Sequence, residues 1–143
     1  MQVVLSSHEF ITALVAASRS CTLDHDKHKF SGKSSFMKKQ NAETGCKGEM
    51  AVAKLLGCRF NGDRTDGGDG GIDMYFKVSG GFGLSIDVKS TESTRGYGLI
   101  SDYEINGACD TFVFTTVKNL TNVEVEGWCP SDEVKSIAEC ETM

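Results

Sequence analysis

Two short runs of residues constrain this chain more than anything else in it. Ile72-Asp73-Met74-Tyr75-Phe76-Lys77-Val78 and Gly83-Leu84-Ser85-Ile86-Asp87-Val88-Lys89 flank the turn Ser79-Gly80-Gly81. Successive side chains of a strand alternate faces, so Leu84, Ile86 and Val88 point one way and Ser85, Asp87 and Lys89 the other. A glycine turn between two such runs predicts a β-hairpin. Pairing across it brings Asp73, set between Ile72 and Met74, near Asp87. An apolar core can then lie under one face while acids and a base share the opposite one.

Two close carboxylates repel unless a cation lies between them, and hard oxygen ligands favour Mg²⁺ or Mn²⁺. An Asp-x-Lys on an apolar strand, after an upstream Asp, suggests a metal site that cuts phosphodiesters. A third acid precedes both. The run 48–57 reads as a short helix stopped by Gly57, with Glu49, Val52, Ala53 and Leu56 on one face. A glutamate on a buried stripe is costly unless compensated, and a shared metal would compensate it. The alternative is that Glu49 simply suits a helix N-terminus.

The constellation of Glu49 on a helix, Asp73 on a strand and Asp87-Val88-Lys89 on the next resembles the PD-(D/E)XK nuclease superfamily. Order and spacing are similar to those of archaeal-type Holliday junction resolvases. Small phage-encoded members are a second likeness, carried by Ser7-His8-Glu9-Phe10, by Gly45-Cys46-Lys47-Gly48-Glu49-Met50-Ala51-Val52-Ala53 and by Gly127-Trp128. The chain departs from the pattern in having Gly71-Ile72 where a proline commonly precedes the first Asp, and Asp rather than Glu at position 87. The resemblance implies an α/β fold, a restriction-endonuclease-like mixed central β-sheet flanked by helices. It implies a Mg²⁺- or Mn²⁺-dependent DNA endonuclease, structure-specific cutting being one option. Glu49, Asp73, Asp87 and Lys89 would be catalytic. Asp73, Asp87, Glu49 and the Val88 carbonyl would ligate the metal. Arg95, on the polar stretch after the site strand, would touch phosphate or a base. Two alternatives stay open: a catalytically silent nuclease-like fold that binds nucleic acid or protein, and a structural virion protein.

At 143 residues and 39% hydrophobic content, one domain spanning 1–143 is expected. No apolar stretch approaches the roughly 20 residues that span a bilayer, and the N-terminus lacks a secretory pattern, so no membrane role is expected. Cys21, Cys46, Cys58, Cys109, Cys129 and Cys140 form no Cys-x-x-Cys pair. They read as reduced thiols of a cytoplasmic protein, in the host cytoplasm if phage-encoded. The net charge of −5 speaks against nucleic acid, but its distribution does not. Residues 1–60 hold nine Lys/Arg against five Asp/Glu, and residues 61–143 six against fifteen. Lys33, Lys38, Lys39 and Lys47 lie in the basic segment that could track a DNA backbone; a solvated loop is the plain alternative.

Along the chain, Ser6 or Ser7 caps a helix with Phe10, Leu14 and Ala17 on one stripe. Residues 20–41 show no clear period and read as a flexible basic segment or a partly helical one. Asp24-His25-Asp26-Lys27-His28 reads as a polar loop, and a short strand is expected near Cys58-Arg59-Phe60. The glycine-rich 61–71 reads as a loop at the mouth of the site. Thr111–Val117 and Val123–Trp128 read as strands joined by a hairpin, and Ser131-Asp132-Glu133 opens a last helix. Trp128 is expected in the core or at a homodimer contact.

Overall fold

The computed structural model describes residues 1–27, 35–62, 72–78, 82–92 and 109–141. The order of elements is β1 (Gln2–Val4), α1 (Ser7–Lys27), α2 (Ser35–Leu56), β2 (Met74–Val78), β3 (Phe82–Thr91), β4 (Thr111–Val117), β5 (Asn122–Pro130) and α3 (Ser131–Glu141). The fold class is α/β. Five strands form one mixed sheet in the order β1-β5-β4-β3-β2. Only β3 and β4 run parallel, with Ile86 beside Thr111, Asp87 beside Phe112 and Lys89 beside Phe114. The expected hairpin is present, with Met74 opposite Ile86 and Val78 opposite Phe82. Its turn, 79–81, lies outside the described residues, as do 63–71, Lys33 and the whole of 93–108.

α1 begins with a capping box. The Glu9 N–H donates to Ser6 Oγ at 3.2 Å, and the Ser6 N–H donates to Glu9 Oε1 at 2.8 Å. Its inward stripe is small, with Ala13, Ala16, Ala17 and Ser20 buried. Small residues let α1 lie close against α2, while Phe10 and Leu14 are only half-buried. α2 in turn packs on the sheet. One core cluster joins Leu5, Ala13, Ala17, Met50 and Ala51 to Val117 and Val123; the second joins Val52 and Ala53 to Met74, Ile86, Val88 and Val113.

Four expectations need correction. The short helix at 48–57 is the end of a 22-residue helix. Of the aperiodic 20–41, the stretches 20–27 and 35–41 are helical, the partly helical alternative, and 24–27 belong to α1 rather than to a polar loop. No strand forms at 58–60. There Gly57, at φ 69°, ends α2, and the Cys58 N–H donates to the Ala53 carbonyl at 2.8 Å, a Schellman closure. Trp128 is not in the core: it is 70% exposed. The β4–β5 hairpin and the start of α3 lie where the sequence puts them. The hairpin closes through the Asn119 side-chain oxygen, which accepts from the N–H groups of Thr121 and Asn122.

Candidate active site

Asp73 stands where β2 begins, beside Asp87 as the hairpin requires. Its N–H donates to the Ile86 carbonyl at 2.8 Å, and its Oδ2 accepts the Val88 N–H at 2.7 Å. The two bonds bracket Asp87. The carboxylate takes the place a continuing strand's carbonyl would fill, so it satisfies a buried backbone donor where β2 stops. In a strand the N–H and C=O of one residue point to the same side. The Val88 carbonyl therefore faces the edge that Asp73 occupies.

Asp87 and Lys89 alternate with Ile86 and Val88, so they lie on the face away from α2. Lys89 Nζ is 3.0 Å from Asp87 Oδ2, an ion pair in which the lysine side chain is only 17% exposed. The face is closed rather than open: Asp87, Ser85 and the adjacent Phe112 are all buried. Cys109 is a neighbour that the sequence did not single out. Burial pushes its thiol up, the Ser131 hydrogen bond draws it down, Asp87 raises it again and Lys89 lowers it.

Glu49 is buried on α2, on the other face of β3. Gly48 fixes its height. A Cβ at position 48 would fall 1.8 Å from Ser90 Oγ and 2.6 Å from Thr115 Oγ1, which bond to each other at 2.7 Å. α2 thus meets β3 at Ser90, and Glu49 follows at that level. Further up, Thr44 Oγ1 and Gln40 Nε2 donate to the Glu92 carboxylate at 2.8 and 3.1 Å, tying the end of β3 to α2. Neither contact was read from the sequence. The Gly45-x-x-Gly48 spacing was the available signal, since a glycine inside a helix often marks a close approach.

The expected acids therefore do not share one face. Asp73 lies at the edge of β3, Asp87 and Lys89 on one side of it, and the helix of Glu49 on the other. Among the described residues no group of three or more His, Cys, Asp or Glu side chains is spaced to hold a metal ion. In kind the donors fit a hard cation: carboxylates of Asp73 and Asp87, with the Val88 carbonyl turned to the same edge. Of the expected DNA-binding residues, Lys39 is exposed on α2, and Lys38 precedes it there. Lys47 is not displayed to solvent: it is buried, its ammonium 5.3 Å from the centroid of the Phe10 ring. A lysine facing the α1 interface buries its stem and keeps its charge over an aromatic face. Lys33 and Arg95 lie outside the described residues.

Cys46, Cys58, Cys109 and Cys129 take part in no disulfide. Among the described residues no helix is long and apolar enough to cross a membrane. No protein-family model, curated protein or solved structure matches this chain.

Proposed function

We propose that this chain is a metal-dependent nuclease that hydrolyses DNA phosphodiesters on a restriction-endonuclease-like sheet. The observation that carries the reading is Asp73, bonded to the Ile86 carbonyl and the Val88 N–H on either side of Asp87, with Lys89 held 3.0 Å from Asp87. Two buried acids beside a half-buried lysine cost folding energy, and hydrolysis of an anionic backbone gives that arrangement a use. Asp73, Asp87 and the Val88 carbonyl would hold a divalent cation, with Glu49 joining directly or through water. When bound, that cation supplies a water of lowered pKa and offsets charge developing on the phosphate. Lys89 places a compact positive charge beside the reacting group, where it orients the attacking water or stabilises the anionic transition state. The Val88 N–H keeps the Asp73 carboxylate aimed along the strand edge. Lys38 and Lys39 of α2, with Lys33 and Arg95, would contact backbone phosphates; Lys47 leaves that set.

A second reading has its own observation. Asp87 is already neutralised by Lys89 and Asp73 already holds a backbone N–H, so the cluster is self-satisfied, as a silent binding module's would be. Incubating the protein with supercoiled plasmid and with branched DNA, in Mg²⁺, Mn²⁺ or EDTA, separates the two. The nuclease reading expects nicked or linear product with metal and none in EDTA. Intact DNA under every condition, or product that persists in EDTA, rejects it.

A further inference from the structure

Asp87 already has a cation beside it. Lys89 follows it by two residues on β3, so the two side chains share a face. Lys89 Nζ lies 3.0 Å from Asp87 Oδ2, and both side chains are largely shielded from water, at 17% and 8% exposed. β4 supplies no counter-charge on its side, since Phe112 stands beside Asp87 and Phe114 beside Lys89 in the parallel register. A carboxylate this far out of water is costly without a positive partner, and a shielded charge pair attracts more strongly than one on the surface. The burial that would make Asp87 a strong ligand for a divalent ion therefore also holds Lys89 against it.

Asp73 is held differently. Its Oδ2 accepts the Val88 N–H at 2.7 Å, and an ionised carboxylate has lone pairs enough to keep that bond and take a metal as well. A backbone N–H carries no net charge, so it does not repel the incoming ion. The Lys89 ammonium does, because a divalent ion on Asp87 would stand close to a like charge where screening is poor. Charge balance points the same way: the carboxylates of Asp73 and Asp87 match one divalent ion, and Lys89 on Asp87 leaves a positive charge in surplus. The ammonium can leave without moving the strand, because it rides on a flexible four-carbon stem.

We propose that Lys89 is a stand-in cation: it neutralises Asp87 until a divalent ion takes its place, and is then released to meet substrate phosphate. The inference rests on the metal site assigned above and adds an order to its assembly, metal before substrate. Lys89 thus opposes metal binding, and its charge reaches the phosphate only once the ion is in place.

Two measurements test this, and neither reads cleavage. In the first, Mn²⁺ is titrated calorimetrically into the wild-type chain, Lys89→Met and Lys77→Gln. Methionine keeps most of the stem and drops the charge. Lys77 is an exposed lysine of the neighbouring β2, so its loss measures the general effect of one cation fewer. Lys89→Met should bind Mn²⁺ at least about tenfold tighter than wild type, and Lys77→Gln within about threefold of it. In the second, wild-type protein is acylated at lysines with acetic anhydride, in Mg²⁺ or in EDTA, and the products are mapped by mass spectrometry. Lys89 should react severalfold faster in Mg²⁺, and the exposed Lys118 at the same rate in both. This second arm needs no variant, so it decides the matter even if Lys89→Met folds poorly. Equal or weaker Mn²⁺ binding by folded Lys89→Met, or Lys89 labelling unmoved by Mg²⁺, overturns the stand-in role and leaves the metal site standing. No Mn²⁺ binding by wild type rejects the metal site itself, and with it the reading on which this inference rests.

Discussion

Gly48 lacks a side chain because Ser90 and Thr115 fill the space where one would go. In an open helix, replacing glycine by alanine gains up to about 1 kcal/mol. Gly45 is such a position, with nothing within 4 Å of an added Cβ, so Gly45→Ala should raise stability. At Gly48 the same change drives a methyl into two hydrogen-bonded hydroxyls, and overpacking of this kind costs about 1–3 kcal/mol. Gly48→Ala should therefore lower the urea midpoint, and adding Ser90→Gly should restore part of the loss. A comparable separation applies to Asp73. Asp73→Ala leaves the Val88 N–H without an acceptor, a loss of about 1–3 kcal/mol in equilibrium unfolding. Asp73→Asn can keep an acceptor oxygen there and should unfold close to wild type, yet it removes the charge that a metal needs. An Asn variant as unstable as the Ala variant would mean that the charge itself holds the strand edge. Asp87 and Lys89 were legible in the sequence because strand alternation alone places them. The partners that quiet them were not, because a carboxylate bonded across a strand end leaves no period to read.

The helices show how far element boundaries follow from pattern. Gly57 marked the end of α2 correctly, since only a residue at ease with positive φ closes a helix in this way. Its beginning was hidden, because Ala42, Gly45 and Cys46 pack well but contrast weakly with their polar neighbours. The same small stripes bring α1 and α2 together. One electrostatic knot secures that pair: Glu9 accepts from the Ser6 N–H and pairs with Lys54 at 2.8 Å, and Lys54 also donates to the Val4 carbonyl. The Lys54 hydrogen bond, then the Ser6 bond, lowers the Glu9 carboxyl below its ordinary value. A depressed carboxyl adds stability above its unfolded pKa, about 4.3 for glutamate, and loses it as pH falls through the folded value. Wild type should therefore be more stable than Glu9→Gln at neutral pH, with the gap closing below about pH 4. Unfolding free energies measured across that range check it; a gap independent of pH would assign the effect to the capping geometry and not to the charge.

Across the whole molecule, charge is divided by sequence: residues 1–60 are basic on balance and 61–143 acidic. The division was plain from composition, but its use was not, since Lys47 turns inward over the Phe10 ring. If the remaining lysines carry DNA affinity, replacing Lys33, Lys38 and Lys39 by Gln should flatten the plot of log affinity against log salt. The reduction would be up to about 3 units, near 0.9 per phosphate contact. An unchanged slope would place DNA elsewhere. The sheet was foreseen as mixed and central, but the site was foreseen on one face, and it instead wraps the edge of β3. That edge arrangement makes Lys89 the most discriminating residue, since it pairs with Asp87 and is not itself a proposed metal ligand. The decisive measurement is the plasmid cleavage rate of Lys89→Ala against wild type in saturating Mn²⁺, with thermal unfolding recorded on the same samples. Wild type should cut. Lys89→Ala should lose about 10²-fold or more in rate, as loss of one electrostatic stabiliser does, while Mn²⁺ still raises its melting temperature. Cleavage by Lys89→Ala at the wild-type rate, or no Mn²⁺-dependent rise in either protein, would contradict a hydrolytic centre at Asp73, Asp87 and Lys89.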